Sequence, residues 1–203
     1  MWAQESLPDF IDIGGAKIQL SKTLQNRLLQ TLQSQRADSG RFAKTTRLAQ
    51  TYLPLVREVF QEKSLPPEFC YLSLLDNPAP DTLFLWNMPP EMARSLGLQI
   101  NENLDERLHP LATTEAIAKK LQKNQTELQN PLLTLLSYHL SNAEVLVYVA
   151  TKLSQSVRDA LRGQKPVLLD VDAHPDLLRF LSLYFCMKIV PRTCLSSLPT
   201  GLK

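Results

Sequence analysis

Apolar residues recur every three or four positions over most of this chain, the spacing expected of helices with one buried face. Four stripes show it: Leu24, Leu28, Leu29 and Leu32; Leu48, Tyr52, Leu55, Val59 and Phe60; Ile117, Ala118 and Leu121; Val145, Leu146 and Val149. The segment 175–190 is apolar in the same way and predicts a final helix. The pattern as a whole predicts about seven or eight helices and a mainly α fold.

Prolines and capping residues predict where these helices begin. Pro54 and Pro131 are expected in first turns, because a proline inside a helix removes a hydrogen bond and crowds the preceding turn. Side chains that can accept from the first free N–H groups predict the caps. The predicted N-caps are Ser21, Thr113 or Thr114, and Asn142.

Strand signal is confined to the start of the chain. Apolar residues on either side of Gly14-Gly15 predict a short hairpin that turns at the two glycines: Phe10, Ile11, Ile13, Ile18 and Leu20. The segment from about residue 163 to residue 175 is predicted to be a loop.

The stretch 68–77 places a carboxylate directly after an apolar element. Phe69, Leu72 and Leu75 fall on one helical stripe that should face a core, and Asp76 follows them. An acid at the rim of an apolar element can have a raised pKa and act as a general acid. The alternative is that Asp76 only ends the helix.

Composition narrows the range of functions. With 22 basic and 20 acidic residues among 203, the formal net charge is +2, and there is no basic stripe for nucleic acid. No apolar run is long enough to predict a membrane span. The first residues lack a signal-peptide layout, so we expect either a cytoplasmic location or an export segment outside this sequence.

The cysteine and glycine patterns predict no cofactor. Cys70, Cys186 and Cys194 show no zinc-ligand spacing, and the last two either form a disulfide or remain buried thiols. The chain has only six glycines and no glycine-rich phosphate loop.

Two further clusters of charged residues have plain structural interpretations. Asp170 and Asp172 precede His174, a pattern more typical of loop solvation or capping than of a metal site, so no metal is predicted. The segment 105–107, Asp-Glu-Arg, is expected to form a local ion pair or cap.

His139 lies in an apolar run and is expected to be a core or rim residue.

Four segments in order carry a family resemblance: 52–72, 85–88, 104–107 and 137–141. They resemble the Y-x-P…L-P-x-D-F-K-Y-L lead-in, G-x-W-Q-F, V-D-E-R and S/A-Y-N-x-G motifs of lytic murein transglycosylases. The D type found in Bacteroidetes is the most similar, and 172–181 resembles its closing helix. The resemblance covers roughly residues 10–190. It implies a goose-type-lysozyme-like helical domain at 51–162, an N-terminal extension at 1–50, and a C-terminal helix and tail at 163–203.

The positions that carry the family's catalysis depart from its pattern. In the family, the glutamate of the L-x-E-S motif protonates the glycosidic oxygen. Asp76 stands at the position of that glutamate, and Asn77 replaces the serine. The family's tyrosine is retained as Tyr138. A shorter side chain retracts the carboxyl by roughly 1 Å, and a misplacement of about that size can cost on the order of 10²-fold in rate. The loop between Asn77 and Phe84 is also several residues shorter than the family's.

The expected substrate-binding residues depart as well. Phe84 replaces the glycine before the Leu-Trp pair, and Asn87 replaces the glutamine after it. His139 stands where the family has asparagine. The resemblance implies that Asn77, Trp86, Asn87, Met88 and His139 bind substrate, with Trp86 and Tyr138 lining a cleft.

These departures imply a domain whose catalysis is lost or strongly weakened. The expected function is a peptidoglycan-binding or scaffolding module of the cell envelope, with glycan strands or an envelope protein as its partner. One alternative is an active enzyme that cleaves the MurNAc-GlcNAc bond with Asp76 as acid and base, assisted by Tyr138. Another is a helical protein-interaction domain without glycan binding. A periplasmic location is implied by the resemblance alone.

Overall fold

The computed structural model describes residues 6–75, 85–162 and 166–189, and within them the predicted mainly α class is confirmed. The strands are β1 (Phe10–Ile13), β2 (Ala16–Leu20) and β3 (Val167–Leu169). The α-helices are α1 (Lys22–Ala37), α2 (Ser39–Glu62), α3 (Pro90–Ser95), α4 (Pro110–Leu128), α5 (Pro131–Leu136), α6 (Asn142–Lys152), α7 (Gln155–Arg162) and α8 (Pro175–Ile189). Two 3-10 helices span Pro67–Leu74 and Glu106–Leu108.

A small mixed sheet joins the beginning of the chain to a segment near its end. The hairpin of β1 and β2 is confirmed and turns at Gly14-Gly15, both at positive φ, where glycine carries no Cβ penalty. β3 pairs in parallel with β2, with Ile18 opposite Val167. The prediction of a loop over 163–175 is therefore wrong at β3. Three residues are too few to show the alternation by which a strand is recognised in a sequence.

The centre of the fold is the 3-10 helix Pro67–Leu74. Every side chain from Phe69 to Leu74 is buried, so the predicted single stripe was too narrow. The helix packs against α2 and α8, and one continuous cluster of buried side chains extends from it to the sheet. An element enclosed on all sides has no polar face, which explains its almost wholly apolar sequence.

Pro54 lies inside α2, so the prediction that it begins a new helix is wrong. Because proline has no N–H, the Gln50 carbonyl one turn earlier loses its usual hydrogen-bond partner. Both residues are exposed, so water can bond that oxygen. Val56 and Phe60 are fully buried, and their packing keeps the chain helical beyond the proline.

Two of the three predicted caps are displaced. Ser21 caps α1 as predicted, with its Oγ accepting from Leu24 N at 3.0 Å. The cap of α4 is His109, because the Thr113 and Thr114 hydroxyls instead donate to carbonyls one turn back. α6 is capped by Ser141 rather than by the next residue, Asn142.

The outer segments of the chain are tied to each other and to its middle. Residue 50, the expected end of the N-terminal extension, falls within α2, and α8 packs on α1 and on the 3-10 helix Pro67–Leu74.

Among the described helices, none is long and apolar enough to cross a bilayer.

Candidate functional site

Asp76 and Asn77, the expected acid and its neighbour, lie outside the described residues, as does Phe84. The described chain stops at Leu75, at the end of the central 3-10 helix, and resumes at Leu85. Leu85 is buried, whereas Asn87, another expected substrate-binding residue, is exposed.

Trp86 is a core residue rather than a side chain that lines a cleft. Its side chain is 1% exposed, and its ring lies 6.1 Å from that of Phe60 and 5.8 Å from that of Tyr138. The indole N–H, the only polar group of this side chain, donates to Thr114 Oγ1 at 2.9 Å. In this conformation the indole can present neither its face nor its N–H to a ligand.

Tyr138 and Met88 are also buried. The Tyr138 side chain is 5% exposed, and its ring packs against His139 at 4.5 Å between centroids. Lys120 Nζ donates to the Tyr138 carbonyl at 2.8 Å, and burial lowers the pKa of that lysine. The Met88 carbonyl accepts from Arg107 Nη1 at 3.3 Å. The expected cleft-lining aromatic residues therefore belong to the interior.

His139 lies at the rim of the core, as expected, and contacts an acid that the sequence analysis did not select. Its Nδ1 lies 3.3 Å from Asp176 Oδ2. Asp176 stands in the first turn of α8, and its pKa is lowered, first of all by the hydrogen bond with His139. The only signal in the sequence was an acid directly after Pro175 at a helix start, which is common and carries no information about a distant histidine.

The residues of the Asp170–His174 cluster have separate structural roles. Asp170 accepts from Ser21 Oγ at 2.6 Å, an interaction that lowers the pKa of Asp170 and joins the start of α1 to the end of β3. His174 Nδ1 accepts from the backbone N–H of Asp176 at 3.2 Å, so it helps to begin α8. No group of His, Cys, Asp and Glu in the described ranges is arranged to hold a metal ion.

The predicted ion pair in segment 105–107 is confirmed. Arg107 Nη2 lies 2.6 Å from Asp105 Oδ2, and this hydrogen-bonded guanidinium lowers the pKa of the Asp105 carboxyl. Glu106 Oε2 accepts from Gln99 N at 2.6 Å. These contacts close the polar connection between α3 and α4.

An open groove of about 630 Å³ lies between α1, α2 and α8. Asn87, Leu74 and Leu75 form one end of its lining, on either side of the gap in the described chain. Trp86 and Tyr138 are not among the described residues that line it. Sequence analysis missed the groove because its walls come from helices far apart in the chain, whose polar residues looked like ordinary solvated positions.

The segments that carry the family resemblance contact one another in series. Segment 52–72 is joined internally by a hydrogen bond from Arg57 Nη2 to the Tyr71 hydroxyl at 3.2 Å. The ring contact of Phe60 with Trp86 links it to segment 85–88, and that of Trp86 with Tyr138 continues to segment 137–141. Arg107, in segment 104–107, donates to the Met88 carbonyl. No protein-family model, curated protein or solved structure matches this chain.

Proposed function

We propose that this chain is a catalytically degenerate lytic-transglycosylase-like domain, which acts as a peptidoglycan-binding or scaffolding module of the cell envelope. The observation that carries the proposal is the contact between Trp86 and Tyr138. These residues come from motif segments about fifty positions apart in the chain, and their rings lie 5.8 Å apart. Residues that build one site in the family are expected to meet in this way, so their proximity supports a shared lysozyme-like framework.

The burial of the same two residues supports the loss of catalysis. An enzyme of this class needs its aromatic residues and its acid at an open surface, because the sugar ring must be held within hydrogen-bonding distance of the acid. Trp86 and Tyr138 instead fill the core. Together with Asp76 in place of glutamate, this arrangement favours a domain that has kept the fold and changed its function.

The proposed partners are glycan strands or an envelope protein, in the periplasm. The location and the glycan are implied by the resemblance of the motif segments. The balanced composition, with a formal net charge of +2, offers no electrostatic footprint for nucleic acid.

Catalysis is tested by incubating the protein with purified sacculi and analysing the soluble products by mass spectrometry. We expect no 1,6-anhydromuropeptides above the buffer control. Their release by the unmodified protein, together with its disappearance in Asp76→Asn, would show an active transglycosylase and contradict the proposal.

Binding is tested by co-sedimentation with sacculi. We expect the unmodified protein to sediment and Asn87→Ala to be retained less, because Asn87 is exposed and matches a substrate-binding position. Asn103→Ala, at an exposed position outside the motif segments, is the matched control. If the unmodified protein stays in solution, glycan binding is wrong and the chain is better described as a protein-interaction domain.

A further inference from the structure

A small pocket of about 190 Å³ lies between α5, α6, α7, β3 and the turn before α8. Leu153, Val157, Leu161 and Ala173 line it and are only partly buried, so apolar surface is accessible to a ligand. Sites for drug-sized molecules usually exceed about 300 Å³, whereas a cavity of about 150 Å³ already holds benzene. The small pocket therefore fits one apolar group of modest size.

Two charged side chains of opposite sign stand at the mouth of the small pocket. Lys152, in the last turn of α6, and Asp172, in the turn between β3 and α8, both line it and are both exposed. Within the part of the chain that the structure describes, neither side chain has a hydrogen bond or an ion pair. Both are therefore available to a charged ligand.

Asp170, the other charged residue of the described lining, already has partners. Its Oδ1 accepts from Ser21 Oγ at 2.6 Å and from the Val171 N–H at 2.7 Å. These bonds assign Asp170 to the joint between α1 and β3. Asp172 is thus the carboxylate that can pair with a ligand.

Tyr148 brings the two free charges into one site. It lies one turn before Lys152 on α6, so the two side chains share a face of that helix. Its ring packs at right angles to that of His174, with the centroids 4.9 Å apart. Burial raises the pKa of Tyr148, and the nearby Asp172 carboxylate also raises it. The same tyrosine is therefore close to Lys152 along the helix and to Asp172 on the facing turn.

The small pocket thus combines a cation, an anion and an apolar cavity. An α-amino acid carries a carboxylate, an ammonium group and a side chain on one carbon atom, and so matches all three features. A ligand with a single charge would use only one of the two free side chains. Because hydrogen bonds between charged groups are roughly twice as strong as neutral ones, the second charge should add clearly to affinity.

We propose that the small pocket binds a free amino acid whose apolar side chain is about the size of leucine. Lys152 donates to the ligand's carboxylate, and Asp172 accepts from its ammonium group. The ligand's side chain lies among Leu153, Val157 and Leu161. This ligand differs from the glycan of the proposed function, which the sacculus assay tests separately.

The test is isothermal titration calorimetry of the full chain with L-leucine, with saturation-transfer NMR for weaker ligands. Two analogues each lack one charge: isoamylamine has no carboxylate, and 4-methylpentanoate has no ammonium group. We expect each to bind at least about tenfold more weakly than leucine. Glycine should also bind at least about tenfold more weakly, because it buries almost no apolar surface.

Variants at the two charged positions assign each contact. Lys152→Gln should weaken leucine binding about tenfold but should not weaken that of isoamylamine, which has no carboxylate to lose a partner. Asp172→Asn should likewise weaken leucine binding but not that of 4-methylpentanoate. Both positions are exposed, so neither change should shift the thermal midpoint. The matched controls Lys119→Gln and Asp159→Asn, exposed and outside the described lining, should bind leucine as the unmodified protein does.

Any of four outcomes would overturn the proposal. Leucine, isoleucine and methionine that all fail to bind at millimolar concentration would exclude this class of ligand. Glycine that binds as tightly as leucine would exclude the apolar cavity as a contact. Isoamylamine that binds as tightly as leucine would make the ligand a simple cation. Leucine binding that is unchanged in both Lys152→Gln and Asp172→Asn would place the contact elsewhere.

Discussion

The Nδ1 atom of His139 lies 3.3 Å from a carboxylate oxygen of Asp176, and this contact joins the turn after α5 to the first turn of α8. The same carboxylate is 3.6 Å from His174 Nδ1 and 3.9 Å from Arg179 Nη1. Through His139, Asp176 thus ties the start of α8 to the turn after α5.

Asp176→Asn is expected to lower the free energy of unfolding at pH 7 by on the order of 1.5–3 kcal/mol, the usual contribution of a hydrogen bond to a charged group. Because the pKa of Asp176 in the folded protein lies below its ordinary 3.8, its contribution is present above that value. It is lost as the pH falls through the lower folded pKa. Urea unfolding of both proteins between pH 2 and pH 7 checks this, with the exposed Asp172→Asn as control. A difference that grows in acid would contradict it.

Removing either partner of the Trp86–Thr114 hydrogen bond should destabilise the core. Thr114→Val leaves the buried indole N–H without its acceptor, at a cost of about 1–3 kcal/mol. In a Trp86→Phe background, which has no N–H to satisfy, the same threonine change should cost clearly less. Guanidinium unfolding of the four proteins of this double-mutant cycle measures the difference. Strict additivity would mean that the bond does not couple the two side chains.

The two glycines of the hairpin should differ sharply in their response to alanine. Both have positive φ, +59° at Gly14 and +89° at Gly15, so each substitution costs roughly 1 kcal/mol of backbone strain. A Cβ at Gly14 would also collide with the Pro66 ring, with Pro66 Cβ only 2.8 Å away, whereas at Gly15 nothing lies within 4 Å. Thermal unfolding should therefore show a clearly larger loss for Gly14→Ala. Equal losses would argue against close packing of the hairpin on Pro66.

Cys70 and Cys186 are buried, form no disulfide within the described residues, and should resist alkylation in the folded protein. Burial raises the pKa of Cys186 to about 11 from an ordinary 9.0, and it also raises the pKa of Cys70. Since the thiolate is the reactive form, labelling by iodoacetamide at pH 8 should be much slower than in urea. Mass spectrometry of the peptides reads each site separately. Labelling of native Cys186 at the rate of the unfolded chain would contradict the described burial. Cys194, its possible disulfide partner, lies outside the described residues.

Features set by a few neighbouring residues were predictable from the sequence. The turn at Gly14-Gly15, the cap at Ser21 and the start of α5 at Pro131 each follow from the backbone preferences of the residues concerned. The Asp105–Arg107 pair likewise involves residues only two positions apart. Because each of these features depends on residues close together in the chain, the local sequence was sufficient to predict it.

Features that depend on distant contacts were not predictable. Pro54 stays within α2 because Val56 and Phe60 pack into a core assembled from the whole chain. β3 exists because β2 offers a strand edge from the other end of the sequence. At the candidate site, the histidine was visible in the sequence, whereas its partner Asp176 became visible only through the fold.

The pairing of β2 with β3 also constrains how the protein can be made. Ser21 and Asp170, which meet beside that pairing, are separated by 149 positions in the chain. While the protein is being synthesised, the hairpin emerges well before β3, so the edge of β2 stays without this partner until residues 167–169 have followed. Contacts of such long range slow folding and leave an unpaired edge exposed to other chains. A ribosome-bound chain that stops before residue 166 should therefore keep this hairpin accessible to chaperones.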